Sequence, residues 1–159
     1  MMNQSYEARE QANRAVKHRI LQALRELGAC NVVIRYTGSG DSGCIDEVEV
    51  FGPANRESDQ SVQNLEEQVA QKTILAESRY GTFDHETGRW KDETKLSECS
   101  LKSALEDLCY HLLSVHFPGW EINDGSDGVF EMDVETGTIS LEHNQNILSQ
   151  ETHFHQEVL

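Results

Sequence analysis

One loop combines three glycines with serine and aspartate, in the run Gly38-Ser39-Gly40-Asp41-Ser42-Gly43. Such glycines let backbone N–H groups approach a ligand, as they do in phosphate-binding loops. However, Asp41 would repel a phosphate, no lysine follows, and no helix opens after the loop, so it matches neither a P-loop nor a dinucleotide fingerprint. Glycine, serine and aspartate also form ordinary turns, so a structured hairpin loop is favoured and a small-ligand-binding regulator is the alternative.

A few oxygen and imidazole side chains are of the types that bind metal ions. A metal-dependent enzyme would use Asp41 and Asp46 together with histidines. The run from Asn123 to Gly128 clusters oxygen atoms but lacks the spaced acids and distal glutamate of a calcium loop, so a turn is favoured there. Three further histidines belong to the acidic tail, namely His143, His153 and His155. Solvated histidines are favoured in a polar tail, so we expect no catalytic residue, no metal and no cofactor.

Negative charge is the property that most restricts the function. The chain has 159 residues and a formal net charge of -15, and Lys102 is its last basic residue. The 57 residues after Lys102 hold eleven Asp and Glu and no Lys or Arg. Such a surface repels phosphate and attracts cations, which argues against nucleic-acid binding by this half and for a basic partner or a metal ion.

Six acidic residues are predicted to point outward from strands and to form a partner-binding face. They are Glu47, Glu49, Glu131, Asp133, Glu135 and Glu142. Outward acids on neighbouring strands would form rows about 5–7 Å apart, close to the phosphate spacing along one DNA strand. The face could therefore act as a DNA mimic towards a basic protein groove. A solvated sheet face that keeps the protein soluble is the more ordinary interpretation.

Composition sets the class of protein. The length suits one domain over residues 1–159 with a sizeable core. Hydrophobic residues make up 37% and the mean hydropathy is -0.58, which indicates surface loops or an insertion rather than full disorder. No apolar run could span a membrane and the N-terminus has no apolar signal core, so we expect a cytoplasmic protein with four reduced cysteines. The sequence leaves the oligomeric state open.

The sequence predicts two main helices, which would position the candidate functional residues. The first is predicted over residues 5–27, with Ser5 as its N-cap and Gly28 as its stop. The second is predicted over residues 100–117 and ends before Pro118-Gly119. Its apolar stripe consists of Leu101, Leu105, Leu108, Leu112 and Val115. We expect the leucines at 105, 108 and 112 to be buried against Phe130, Met132, Ile139 and Leu141.

Alternating apolar residues predict strands over residues 31–37, 44–51, 120–122, 129–134 and 138–143. Residues 83–90 and 132–139 share the pattern of a strand, an E-T-G turn and a second strand. Residues 52–64 have loop composition, 62–72 suit a short helix, 53–98 suit a variable insertion, and a frayed polar tail is expected over 144–159. Together the elements predict the α+β class, with a mostly antiparallel sheet and two main helices packed on one face.

Two segments carry a resemblance to a known family. One runs from Val33 to Gly43; the other runs from Ala104 to Tyr110 and on through Gly119–Gly125 to Glu131. Together they resemble an uncharacterised family of bacterial and phage proteins, a domain of unknown function common in mobile elements. The resemblance covers about half the chain. It implies a bacterial or phage cytoplasmic source and supplies no activity for any residue.

These observations favour a non-enzymatic function. We expect a small acidic protein of phage or mobile-element origin that binds and inhibits a basic host protein. A nucleic-acid-binding defence machine such as a CRISPR effector would suit, which makes the protein anti-CRISPR-like. We expect no direct contact with nucleic acid and none with a membrane. The metal-dependent enzyme and the small-ligand regulator remain the alternatives.

Overall fold

The computed structural model describes the backbone of residues 2–53, 59–122 and 124–158, and within these ranges it describes no side chain for residues 2–10, 12, 59–63, 78–80, 92 and 94. The described residues form three helices and six strands. The helices are α1 (Met2–Glu26), α2 (Asp59–Gln71) and α3 (Leu101–His116). The strands are β1 (Asn31–Ser39), β2 (Ser42–Phe51), β3 (Thr73–Asp84), β4 (Arg89–Ser100), β5 (Ser126–Asp133) and β6 (Thr138–Gln145).

Four of these strands form one antiparallel sheet. Its order is β2-β1-β5-β6, so that β1 pairs with its chain neighbour on one side and with the distant β5 on the other. The hairpin of β3 and β4 forms a separate two-stranded sheet. The predicted α+β class with a mostly antiparallel sheet is confirmed.

The helices cover one face of the four-stranded sheet, as predicted. Alternate strand residues point into this inner face, because successive side chains of a strand point to opposite sides. The buried strand residues are Val32, Ile34, Tyr36, Val50, Phe130 and Met132. They pack with Ile20 and Leu24 of α1 and with Leu105 and Leu113 of α3 in one core. The shorter α2 also joins this core through Val69.

The first helix is longer than its sequence signals predict. It begins at Met2 and runs through Ser5, so the prediction that Ser5 caps the helix is wrong. Its predicted end is confirmed, because Gly28 has a φ of 79° and its N–H donates to the carbonyl of Arg25. This left-handed conformation is the one that glycine adopts without strain at a helix end.

The helix predicted over residues 100–117 is confirmed as α3, but its buried face is rotated from the predicted apolar stripe. Ser100 caps α3, and its hydroxyl oxygen accepts the N–H of Ser103. The fully buried positions on α3 are Leu101, Ala104, Leu105, Cys109 and Leu113. Leu108 and Leu112 are half-buried, and Val115 is 58% exposed, so the prediction that Val115 belongs to the packed stripe is wrong.

Four segment predictions need correction. The loop predicted over residues 38–43 is a two-residue turn, because Gly38 pairs with Gly43 and Ser39 pairs with Ser42. The strand predicted over residues 120–122 is wrong, because those residues form turns that carry the buried Trp120. The loop predicted over residues 52–64 ends earlier, because α2 begins at Asp59; residues 54–58 lie outside the described part. Strand β6 also continues through residues 144 and 145, where a frayed tail was expected.

The two E-T-G segments are confirmed as hairpin turns of one kind. Gly88 and Gly137 have φ values of 66° and 73°, and each donates its N–H to the carbonyl of the aspartate four residues earlier. In both turns the side chain of that aspartate, Asp84 or Asp133, accepts the N–H of the glutamate two residues later. The same short sequence therefore folds the same way in both hairpins.

Candidate partner-binding face

The outer face of the four-stranded sheet carries most of its charge. No helix packs on this face in the part of the chain that the structure describes, because every helix joins the core beneath it. The register gives three rows across the strands in the order β2, β1, β5, β6: Glu49-Val33-Glu131-Ser140, Glu47-Arg35-Val129-Glu142 and Phe51-Asn31-Asp133-Thr138. The structure thus brings together five of the six acids that were predicted to form a partner-binding face.

The sixth predicted acid lies at the rim of this face. Glu135 belongs to the exposed turn between β5 and β6, where its carbonyl accepts a hydrogen bond from the Arg25 guanidinium at 2.9 Å. Two acids that were not predicted join the face instead. Asp127 pairs with Thr37 in the ladder, and Asp46 accepts a hydrogen bond from the Thr37 hydroxyl at 3.1 Å.

A β-bulge explains why sequence alternation missed Asp46. The β1–β2 register shifts between Arg35 and Tyr36, so that β2 gains one residue there. A bulge changes the face on which the following side chains point. Ile45 therefore turns inward opposite Tyr36, while Asp46 and Glu47 both lie on the outer side. Simple alternation over residues 44–51 would have placed Ile45 on the same face as Glu47.

Arg35 is the one basic residue among the outer-face positions that the structure describes on these four strands. Its Nε lies 3.7 Å from Glu47 and 3.6 Å from Glu49. All three side chains are accessible to solvent, so each ion pair contributes little to stability. The pairs instead reduce the negative charge on the β2 side of the face. The carboxylates of Glu131, Asp133 and Glu142 on β5 and β6 have no such basic neighbour across the ladder.

A shallow hollow lies in the outer face. It is lined by neighbouring residues of β1, β5 and β6 and by the last residue of β2. Its volume is about 580 Å³. Val33 and Phe51 provide apolar surface, Glu131 and Asp133 provide carboxylates, and Ser140 is among several polar neighbours. An arginine or lysine side chain combines an apolar stem with a cationic head. The hollow therefore matches a basic side chain of a partner better than it matches an anion.

The glycine loop has a packing function in this structure. A Cβ atom added to Gly43 would lie 2.2 Å from the Trp120 ring, and one added to Gly38 would lie 2.9 Å from it. The two glycines face each other across the β1–β2 ladder, so together they form a flat floor under the indole. Asp41 is exposed in the turn beyond them. Two of the three glycines that suggested a ligand loop, Gly38 and Gly43, are therefore required by the close approach of Trp120, and Gly40 has the positive φ of the turn itself.

The histidine of β6 belongs to an aromatic cluster rather than to the tail. His143 stacks on Phe117 with ring centroids 4.1 Å apart, and its Nδ1 shares a hydrogen bond with the Tyr36 hydroxyl. Burial raises the pKa of Tyr36 to about 12, with a smaller contribution from the negative charge of Asp127. Burial also lowers the pKa of His143, although Asp127 acts in the opposite direction. Both groups are therefore neutral at neutral pH, and they help to close the end of the core.

The remaining candidate ligands stay apart. His153 and His155 are exposed, each close to a glutamate of the same segment. Cys109 is buried, and burial raises the pKa of its thiol to about 12, which leaves it unreactive. Within the described residues, no three His, Cys, Asp or Glu side chains come together as a metal site requires. Asp41 and Asp46 are both exposed.

The fold and the open face define a small α+β protein whose most distinctive surface is an uncovered acidic sheet. None of the described helices combines the length and apolarity needed to cross a membrane. A family model matches residues 12–157, and the chain belongs to that family, described as a family of unknown function (DUF6878). No curated protein and no solved structure matches the chain.

Proposed function

We propose that this protein is a non-enzymatic inhibitor that uses the outer face of its four-stranded sheet to bind a basic host protein. The observation that supports the proposal is an uncovered sheet face bearing seven carboxylates: Asp46, Glu47, Glu49, Asp127, Glu131, Asp133 and Glu142. Such a face attracts a positively charged groove and speeds its association. In this proposal the target is a nucleic-acid-binding defence machine such as a CRISPR effector, and the source is a phage or mobile element.

The chemistry of the hollow points to the contact that would anchor the complex. An arginine of the partner would lay its apolar stem on Val33 and Phe51 and direct its guanidinium to Glu131 and Asp133. Arginine is enriched at the energetically important positions of interfaces, and its planar head can donate two hydrogen bonds to one carboxylate. The charge of the whole molecule, -15, adds long-range attraction but no specificity.

Carboxylate spacing supports docking of basic side chains more strongly than close imitation of DNA. Along one strand, Glu131 and Asp133 are about 7 Å apart, as successive phosphates are. Across the sheet, Glu49 and Glu131 are separated by the width of two strand spacings, about 10 Å, because Val33 stands between them. The face would therefore imitate one stretch of phosphates along β5, with apolar contacts beside it.

Affinity capture from a bacterial lysate, followed by binding kinetics with the captured protein, tests the proposal. We compare the wild type with E131K/E142K, whose side chains are exposed and have no structural ion pair among the described contacts. The matched control is E98K/E151K, which makes the same change in net charge away from the face. Asp133 is left intact because its carboxylate holds the β5–β6 turn.

The expected result is a basic nucleic-acid-binding protein that wild type and control retain and E131K/E142K loses. Its dissociation from E131K/E142K should be at least about tenfold faster, since losing a charged contact at an interface costs about 2 kcal/mol or more. An equal loss of binding in both variants would mean that net charge alone acts. Equal retention by all three proteins would exclude the outer face as the binding surface.

A further inference from the structure

The inner face of the four-stranded sheet is covered less completely at β6 than at β1 and β5. The inward residues of β1 and β5 are buried, whereas Ile139 and Leu141 of β6 are only half-buried. The shorter helix α2 packs next to the β2 edge of the sheet, and the described part of the chain supplies no matching helix at the β6 edge. An opening therefore remains between α1 and β6.

A cleft of about 410 Å³ occupies this opening. We call it the α1–β6 cleft, and its lining residues are Arg14, Lys17, His18, Leu21, Leu108, Met132, Gly137 and Ile139. Half-buried apolar side chains from α1, α3 and β6 leave part of their surface open to it, namely Leu21, Leu108 and Ile139. Small-molecule sites typically have volumes of about 300–1,000 Å³, with mostly apolar linings and a few polar groups that orient the ligand. The cleft meets both conditions.

The polar side chains of the cleft all belong to one stripe of α1. Arg14, Lys17 and His18 are exposed and follow one another at helical spacing. None of the described residues that line the cleft is acidic, although the whole chain has a net charge of -15. The ion pairs of the described residues involve neither Lys17 nor His18. The cleft therefore presents N–H donors of side chains beside an apolar surface.

The position of this stripe determines which kind of anion suits the cleft. The stripe lies in the middle of α1, where backbone N–H groups are already bonded within the helix. A phosphate site typically offers several backbone N–H groups from a helix N-terminus or a glycine loop, whereas only side chains can donate here. An adjoining hollow shares Lys17 and Leu108 but is also lined by Glu77 and Asp107, which would repel an anion. A ligand with a single carboxylate is therefore favoured, and it is restricted to the α1–β6 cleft.

We propose that the α1–β6 cleft binds a small organic acid that carries one carboxylate on an apolar body. The apolar body covers Leu21, Leu108 and Ile139, which removes their remaining surface from water. The carboxylate accepts charge-assisted hydrogen bonds from Lys17 and His18. This site goes beyond the proposed function, because the cleft and the acidic outer face lie on opposite sides of the sheet.

An NMR titration of the isotope-labelled full chain with octanoate tests this proposal. The amide signals of Lys17, Leu21 and Gly137 should shift most and should saturate with a Kd below about 1 mM. A salt concentration of about 0.15 M limits long-range effects of the net charge, because the Debye length is then about 8 Å. Octylammonium has the same apolar body with the opposite charge. It should bind at the cleft at least about fivefold more weakly than octanoate does.

Two pairs of variants separate the polar and the apolar part of the site. K17E should weaken octanoate binding about fivefold or more, because it replaces an attractive charge by a repulsive one. K102E makes the same change at an exposed residue of α3 that does not line the cleft, so it should bind octanoate as wild type does. L108N should also weaken binding, because it removes an apolar wall. Its control is L112N, since Leu112 is half-buried on the same helix but does not line the cleft.

Each outcome decides the question. Saturable shifts at the cleft, with losses confined to K17E and L108N, support the site. Shifts that do not saturate, or that are centred elsewhere on the chain, overturn it. Octylammonium binding as tight as that of octanoate would show that the basic stripe does not select an acid, and equal losses in K17E and K102E would show that net charge alone acts. Equal losses in L108N and L112N would trace the effect to stability and would overturn the apolar contact. Circular dichroism verifies that each variant is folded.

Discussion

Trp120 packs against several elements at one end of the molecule. Its indole lies on Gly38 and Gly43, makes an edge-to-face contact with Tyr36 at 5.5 Å and stacks on Tyr110 at 6.2 Å. Its carbonyl accepts a hydrogen bond from the buried Ser126 hydroxyl at 2.6 Å. The Tyr110 hydroxyl in turn accepts the N–H of Ile45 beside the bulge. These contacts fix the turn after α3 against the end of the β1–β2 hairpin.

Replacing Gly43 by alanine should therefore destabilise the fold strongly, although the change adds only one methyl group. The new Cβ would lie 2.2 Å from the indole, so either Trp120 or the strand must move. Overpacking of this kind costs about 1–3 kcal/mol in the free energy of unfolding. The control is G81A, whose Cβ would lie 3.4 Å from the exposed Trp90 ring, an ordinary contact. Urea unfolding measures both, and equal small effects would show that Trp120 is not held against Gly43.

The Tyr36–His143 pair predicts a loss of stability in mild acid. The pKa of His143 is lowered in the folded state, so the folded protein binds a proton less readily than the unfolded chain does. Its contribution is fully present above the unfolded pKa of about 6.5 and is lost as pH falls through the lower folded value. Urea unfolding between about pH 8 and about pH 5 should show this fall in wild type and a smaller one in H143Q. The exposed His111 provides the control: H111Q should keep the wild-type profile.

Residue types alone could not reveal what the glycine loop does. The motif contains the right residues for a ligand loop, and its lack of a lysine or a following helix correctly favoured a hairpin. The reason for Gly43 lies 77 residues away, in Trp120, and a single sequence carries no signal that joins these two residues. The same holds for His143, whose partner Tyr36 becomes its neighbour only through the strand order.

Among the elements, α3 shows how far periodicity can be taken. Helical spacing correctly predicts its existence, its ends and the burial of Leu101 and Leu105. It misplaces the centre of the buried face, because leucine at 108 and 112 outweighs the smaller Cys109 beside them. The packed face is centred about one residue later, on Cys109 and Leu113, which are both 0% exposed. Hydrophobic periodicity predicts that α3 has an apolar side. Tertiary packing determines which residues lie at the centre of its buried face.

Leu105→Ala should cost more stability than the same change at an edge position of α3. Leu105 is 0% exposed, so its removal leaves a cavity within the core. Such truncations cost about 2–5 kcal/mol in the free energy of unfolding. V115A, on the solvent side of the same helix, should change it by less than about 0.5 kcal/mol. Urea unfolding of both variants compares the two positions, and a similar cost at both would show that α3 is rotated from its described orientation.

At the scale of the whole molecule, strand order creates the acidic face. Alternation correctly predicts that Glu47, Glu49, Glu131, Asp133 and Glu142 point away from the core, but it does not say which strands are neighbours. The order β2-β1-β5-β6 sets Arg35 and Val33 between the two acidic groups. The face is consequently a mixture of acidic, apolar and basic positions, where the sequence predicted acidic rows alone.

Salt should stabilise this protein, because carboxylates on the outer face repel one another. Two like charges about 10 Å apart in water repel by about 0.4 kcal/mol, and several such pairs act together. Raising NaCl from about 0.01 M to about 1 M shortens the Debye length from about 30 Å to about 3 Å and should increase the free energy of unfolding in urea. E131Q/E142Q should gain less from salt than wild type does. The control E151Q/E157Q, in the C-terminal tail, should show the same salt-dependent increase in the free energy of unfolding as wild type. Equal increases in all three proteins would show that the outer face is not the source of the repulsion.

The sheet order also has a consequence for the sequence of events during folding. Three of the four antiparallel ladders join strands that are neighbours in the chain, each closed by a short turn. Hairpins of this kind form in about 1–10 µs. The fourth ladder pairs Val32 with Met132, one hundred positions later, so it must close a loop that contains α2, the β3–β4 hairpin and α3. We therefore expect β1 and β5 to meet last, in the step that sets the folding rate. Until they meet, the two halves of the acidic face belong to separate hairpins, and a partner that requires both halves can bind only the finished sheet.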